Sequence, residues 1–177
     1  MATLAHKSLT IQEFDRLYCD TKPHREYWFG EALPKAMPTW LHGLLQGILV
    51  QMLREIGFVS ASEVRLAVSQ DAYPVPDVIA TSKPSRMPYP TDPLDVVIEI
   101  LSPSDSMQYL LRKCRMYSKW GATHVFVFDP EDRTAQEWNH AKGFLEPVAA
   151  LRFEGKTDIQ VARIWAELDA QAQQLDL

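Results

Sequence analysis

From residue 39 to residue 56, the apolar side chains Trp40, Leu44, Ile48, Met52 and Ile56 recur at helical spacing, and Gly57 follows as the stop. A shorter periodic run, "SLTIQEFDRLY", begins at Thr10 and carries Glu13 three residues on, which predicts a capping box at the head of a first helix. Between these helices "HREYWFGEALPKAM" reads as two short strands turning at Gly30. Beyond the long helix, "FVSASEVRLAVS" alternates at Val64, Leu66 and Val68, the period of one or two strands. A turn and a short strand over 77–81 come next, and residues 82–93 hold Pro84, Pro88, Pro90 and Pro93, a loop. A strand over 94–101 leads into a helix that begins near Ser104 or Ser106 and stops before Gly121. "THVFVFDP" is another strand, "TAQEWNH" and "GFLEPVA" form a hairpin across "AKG", and a last helix covers 161–168, leaving "AQAQQLDL" loosely tied. The strand–helix–strand unit over 94–129 predicts a right-handed crossover between neighbouring parallel strands. The fold class is α/β or α+β with a mixed sheet.

One position breaks the pattern. Residues two apart share a face of a strand, so Asp95, Val97, Glu99 and Leu101 point one way and Val96, Ile98 and Ile100 the other. Both faces read as buried, as they are when helices cover a sheet. Glu99 is an acid in that run, and an unpaired buried charge costs several kcal/mol. A basic partner, a proton or a metal has to compensate. Asp77, after Pro76, heads the short strand "DVIA". If the two strands pair, both acids converge on one ion, and two carboxylates with open water positions suit Mg²⁺ or Mn²⁺. Lys113 lies at the edge of a helical stripe formed by Met107, Leu110, Leu111, Cys114 and Ser118, beside Tyr117, where it either stabilises a phosphoryl oxygen or simply extends to solvent. Arg112, Arg115 and Lys119 fall on the outer side, a solvated face or one that meets a phosphate backbone.

The totals narrow the classes. A chain of 177 residues without a composition break, 46% hydrophobic and 23% charged, predicts one globular domain over 1–177. Cys19 and Cys114 stand far apart and outside any metal-ligand spacing, which predicts buried thiols in a reducing, cytoplasmic setting. "MATLAHKSLT" has no apolar signal core, and no apolar stretch approaches the roughly 20 residues of a membrane span. A net charge of −5 argues against coating nucleic acid through the overall field, though not against a local basic patch. "LSPS" lacks the glycines of a nucleophile elbow, and with seven glycines in all there is no glycine-rich phosphate loop.

Taken in order, "PD" at Pro76–Asp77, "E-x-L" at Glu99–Leu101 and Lys113 on the next helix resemble the PD-(D/E)xK nuclease superfamily, and more narrowly the Uma family of restriction-endonuclease-like proteins. The resemblance also takes in the "T-x-x-E-F" opening, "GE" at Gly30–Glu31, His42, "V-R-L" at 64–66, "V-P-D-V" at 75–78, "V-x-E-x-L-S-P-S" at 97–104, "K-x-x-x-Y" at 113–117 and the run from Gly121 to "DP" at 129–130. It implies a mixed sheet flanked by helices, with a core of strand, strand, helix, strand. It implies that Asp77 and Glu99 bind Mg²⁺ or Mn²⁺ and that phosphodiester bonds, in DNA first of all, are hydrolysed. The superfamily lysine two places after the acid is here Leu101, and Lys113 is its candidate replacement. Glu31 is implied as a further acid facing the site and His42 as a residue bordering it. Many relatives carry Asp where this chain has Tyr109. A nuclease cutting both strands would be served by a homodimer, and the alternative to an enzyme is a decayed nuclease fold that acts as a binding module.

Overall fold

In the computed structural model, which describes residues 8–18, 21, 24–35, 38–83, 88–103 and 105–174, a single strand organises the architecture. The chain runs α1 (Ile11–Tyr18), β1 (Arg25–Trp28), β2 (Glu31–Pro34), α2 (Trp40–Glu55), β3 (Val59–Ser62), β4 (Ala72–Tyr73), β5 (Val78–Thr81) and β6 (Val96–Ile100). It continues with α3 (Met107–Trp120), β7 (His124–Asp129), β8 (Thr134–Asn139), β9 (Phe144–Pro147), β10 (Ala150–Leu151), β11 (Ile159–Gln160) and α4 (Val161–Gln173). The main sheet has six strands in the order β3-β5-β6-β7-β8-β9. Only β6 and β7 are parallel, joined through α3, so the sheet is mixed. A three-stranded sheet β2-β1-β4 and a two-stranded sheet β10-β11 stand beside it. The fold is α+β, a mixed sheet flanked by helices.

Every residue of β6 is buried, and its side chains divide by parity between two cores. Val96, Ile98 and Ile100 join Val78, Phe126 and Phe128 under α2 and α4, an all-apolar layer. Val97 joins Ile79, Val125 and the α3 residues Leu110, Cys114 and Tyr117 on the other face. The alternation read from the sequence is the alternation of the sheet.

The helix ends follow local chemistry. At α1, Thr10 Oγ1 accepts from the Glu13 N–H at 3.2 Å while Glu13 Oε2 accepts from the Thr10 N–H at 2.9 Å, a complete capping box. Thr39 caps α2 through the His42 N–H, also at 3.2 Å. Gly121 closes α3 with φ +102°, a left-handed position that suits glycine.

Several expectations shift. The buried face of α2 is Leu45, Ile48, Leu49, Met52 and Leu53, while Trp40 is 67% exposed. Strict four-residue steps overshoot a 3.6-residue turn by about 40° each, so a stripe read that way winds off the true face. In α3 the inward residues are Leu110, Lys113, Cys114 and Tyr117, and Met107 is exposed. Val64, Leu66 and Val68 form no strand: the left-handed Glu63, φ +53°, ends β3, and the Leu66 and Ala67 amides donate to the loop carbonyls of Pro74 and Pro90. The last helix reaches Gln173, into the stretch expected to be loose. Cys114 is a buried free thiol; Cys19 and Ser104 lie outside the described residues.

Candidate active site

The β5–β6 register pairs Val78 with Ile98 and Ile79 with Val97, and its next step sets Asp77 opposite Glu99. Residues directly opposite share a face. The two acids therefore point toward α3, where Ile79 and Val97 also point. The Ile100 N–H donates to Asp77 Oδ2 at 2.6 Å, which ties the carboxylate of one strand to the backbone of its neighbour. From α2, Gln46 Nε2 donates to the Asp77 carbonyl at 2.8 Å and fixes the head of β5.

Lys113 is not at the edge of its stripe but at the centre of the inward face, and it is 5% exposed. Its ammonium lies between two carboxylates: 2.7 and 2.8 Å from the oxygens of Glu99 and 2.9 Å from Glu26 Oε1. The Tyr117 hydroxyl, one turn on, donates to Glu99 Oε1 at 2.6 Å. Glu26, on β1, is filled by four donors: Lys113, the Val75 N–H at 2.8 Å, Trp28 Nε1 at 3.1 Å, and the Tyr109 hydroxyl. Asp77 Oδ1 has a different setting. Lys35 Nζ stands 2.7 Å away and His42 Nε2 3.2 Å away, yet none of these three buried atoms has a hydrogen-bond partner of good geometry. On its other side, the His42 ring sits with Nδ1 3.1 Å from Ser102 Oγ.

Asp77, Glu99, Lys113 and His42 line one cavity of about 510 Å³, together with Glu26, Lys35 and Tyr109. Glu31 does not. It is exposed at the turn end of the β1–β2 hairpin, opposite Trp28, and the acid that faces the site from that sheet is Glu26. Glu26 carried a weaker signal than Glu99, a carboxylate between Arg25 and the aromatic pair Tyr27 and Trp28 in "REYW". Lys35 carried none: a lysine after a strand reads as surface until its partner is placed.

The charges do not cancel. Glu26, Asp77 and Glu99 are buried carboxylates, and the ammonium groups against them belong to Lys113 and Lys35. Counting these groups alone, one negative charge is left over. Burial would raise the Asp77 carboxyl, but His42 and Lys35 outweigh it and hold it well below the usual range. Glu26 is likewise lowered, Lys113 and the Tyr109 hydroxyl overcoming burial. The excess falls on Glu99: burial pushes it up to about 7 against the pull of Lys113, with Asp77 and Glu26 adding to the rise. Lys113 is raised despite burial because Glu26 and Glu99 favour its charged form.

Two carboxylate oxygens are the least committed here, although each faces a lysine ammonium. Asp77 Oδ1 lacks an aligned hydrogen bond, and Glu99 Oε2 accepts from Lys113 alone, whereas Glu99 Oε1 and both oxygens of Glu26 are taken. Among the described residues no group of three or more His, Cys, Asp and Glu gathers in the manner of an all-protein metal cage. Two carboxylates on an open cavity instead match an ion that retains several waters, as Mg²⁺ does.

Comparison with known proteins gives a family and a fold. The profile of the Uma2 family, described as "Putative restriction endonuclease", matches residues 11–171. No curated protein matches the chain. Among solved structures, a "putative nuclease" from Anabaena variabilis superposes with a TM-score of 0.77 at 22% identity, over 90% of this chain and 99% of that one. That likeness is one of fold. No helix among the described residues is long and apolar enough to cross a membrane.

Proposed function

The chain belongs to the Uma2 family, and from that premise we propose that it is a nuclease hydrolysing phosphodiester bonds in DNA with Mg²⁺ or Mn²⁺ held by Asp77 and Glu99. One observation carries the reading: two carboxylates opposed on adjacent strands, facing a common cavity, where three buried carboxylates meet two lysine ammonium groups and the His42 ring. A divalent ion supplies a Lewis acid and an activated water when bound. The chain's own residues do the rest. The Ile100 amide fixes Asp77, and Tyr117 and Lys113 fix Glu99, so neither acid has rotamer freedom to lose on binding a cation.

Lys113 takes the place of the motif lysine missing at Leu101. Its ammonium hydrogen-bonds both Glu26 and Glu99, so it acts on a phosphate through its charge and by orienting Glu99. Lys35 makes no aligned hydrogen bond, so with a cation held by Asp77 its ammonium would be able to meet a phosphoryl oxygen. His42 braces Asp77 against the Ser102 hydroxyl. The same reading carries a homodimer, one active site for each strand of a duplex.

Supercoiled plasmid DNA incubated with the protein and Mg²⁺ or Mn²⁺ tests this. The wild type should nick or linearise it, and the isosteric variants Asp77→Asn and Glu99→Gln should not. Cleavage unchanged in both variants would remove the reading. A second reading, a binding module on a decayed nuclease fold, is favoured by the lysines already seated on both acids. It predicts no turnover by the wild type on any nucleic acid and a melting temperature indifferent to Mn²⁺.

A further inference from the structure

The tip of the β1–β2 hairpin holds a residue that its backbone disfavours. Trp28 pairs with Glu31, so the loop is Phe29 and Gly30, with φ of +48° and +90°. Two positive φ values are what a type I′ turn requires, and Asn-Gly is its usual solution. A phenylalanine there is strained. The turn is clamped in that state: the Phe29 N–H donates to the Asp71 carbonyl at 2.6 Å, and the Gly30 carbonyl accepts from the Leu9 N–H at 2.8 Å. A Cβ on Gly30 would come within 1.7 Å of Ser8 Oγ, so that position stays glycine. Burial does not offset the strain, because Phe29 is 59% exposed.

The exposed ring is joined to the candidate active site. The Arg112 guanidinium lies 5.3 Å from the Phe29 ring centroid and 4.8 Å from that of Trp28. Trp28 packs against Tyr109 with centroids 5.3 Å apart, and Tyr109 lines the cavity and donates to Glu26. A line of three rings thus runs from the surface to the cavity wall. Arg112, Arg115 and Lys119 are all exposed along α3, and of these Arg112 is the one that stands against the Phe29 ring. Phe29 also borders an open cleft of about 690 Å³ with Gln12, Gln70, Asp71 and Tyr73, which leaves room for a flat, uncharged group beside the ring, with the adjoining phosphate on the Arg112 side.

We propose that Phe29 is a stacking platform for an unpaired nucleobase of the nucleic-acid substrate, with Arg112 steadying the ring and meeting the adjoining phosphate. The proposal rests on the nuclease reading and narrows it to substrates that present a single-stranded or splayed base next to the scissile bond. An internal cation–π contact accounts for where Arg112 sits, but not for an aromatic residue on strained backbone, since asparagine would relax the turn. Stacking on an exposed ring tolerates any base and is worth roughly tenfold to a hundredfold in affinity.

The test uses a single-stranded DNA oligonucleotide carrying 2-aminopurine, whose fluorescence falls on stacking, measured in Ca²⁺ with its integrity checked on a gel. The wild type should bind and quench it. Phe29→Asn should bind roughly tenfold or more weakly without quenching, while melting at the same or a higher temperature. Phe29→Trp should retain both binding and quenching. Equal binding and quenching by Phe29→Asn, or binding by the wild type without quenching, overturns the platform and leaves the nuclease reading standing. A Phe29→Asn variant that melts clearly lower makes the residue a structural one and also overturns it. A wild type that neither binds the oligonucleotide nor cleaves plasmid DNA removes both readings.

Discussion

The two faces of β6 are a controlled comparison within one strand. On one, Val96, Ile98 and Ile100 enter an apolar layer between the sheet and α2 and α4. On the other, Val97 and Glu99 alternate into a layer that is apolar at one end and holds Glu26, Asp77 and Lys113 at the other. Backbone, burial and neighbouring strands are the same, so the difference lies in the side chains. The apolar face stabilises without directing anything. The charged face holds its members by hydrogen bonds, at a desolvation cost that only mutual pairing offsets.

The faces should respond differently to damage. The largest effect belongs to Lys113→Ala, which takes away the ammonium shared by Glu26 and Glu99 and leaves buried carboxylates facing each other. We expect a loss of about 3–5 kcal/mol, read by denaturant unfolding, far beyond the excised methylenes. A loss under about 1 kcal/mol would mean that the cluster is wetter than its burial indicates.

Next in size is a pH slope. Glu99 is pushed up to about 7 in the folded chain, against a usual value of 4.5. Between those values the native state retains a proton that the unfolded chain has released, so stability falls as pH rises from about 4.5 to about 7. The full effect is on the order of 3 kcal/mol. Glu99→Gln should flatten that limb and be the more stable protein at pH 8. Asp77, held low, gives the opposite sign: its contribution is complete above its usual 3.8 and is lost on further acidification, and Asp77→Asn should blunt only that acid limb. An unchanged slope in Glu99→Gln would assign the titration elsewhere. The smallest effect is on the apolar face. Ile98→Val should cost about 1 kcal/mol and leave the response to divalent cations as it was.

The same contrast explains what the sequence disclosed. Alternation along β6, the capping box at Thr10 and Glu13 and the stop at Gly121 were legible, because each depends on neighbours within a few residues. So was the meeting of Asp77 with Glu99, since an acid inside an apolar strand demands a partner. Lys113 was found, but at the edge of α3, because a charge is excluded from an inward stripe unless its counter-charges are already placed. Glu26 escaped because the family resemblance pointed to Glu31, which is exposed and pairs with Trp28 across the hairpin. Lys35 reaches the site through tertiary placement alone, and no local pattern marks it, while Ser102 stood in the "L-S-P-S" motif without a role until His42 was placed beside it.

On the proposed function, Asp77 and Glu99 together bind one divalent cation. Titration of Mn²⁺ into the wild type, Asp77→Asn and Glu99→Gln, followed by melting temperature, tests it most directly, since binding to the native state alone raises the midpoint. A saturable rise is expected in the wild type and none in either variant. An equal rise in all three proteins, or no rise in the wild type, would contradict it.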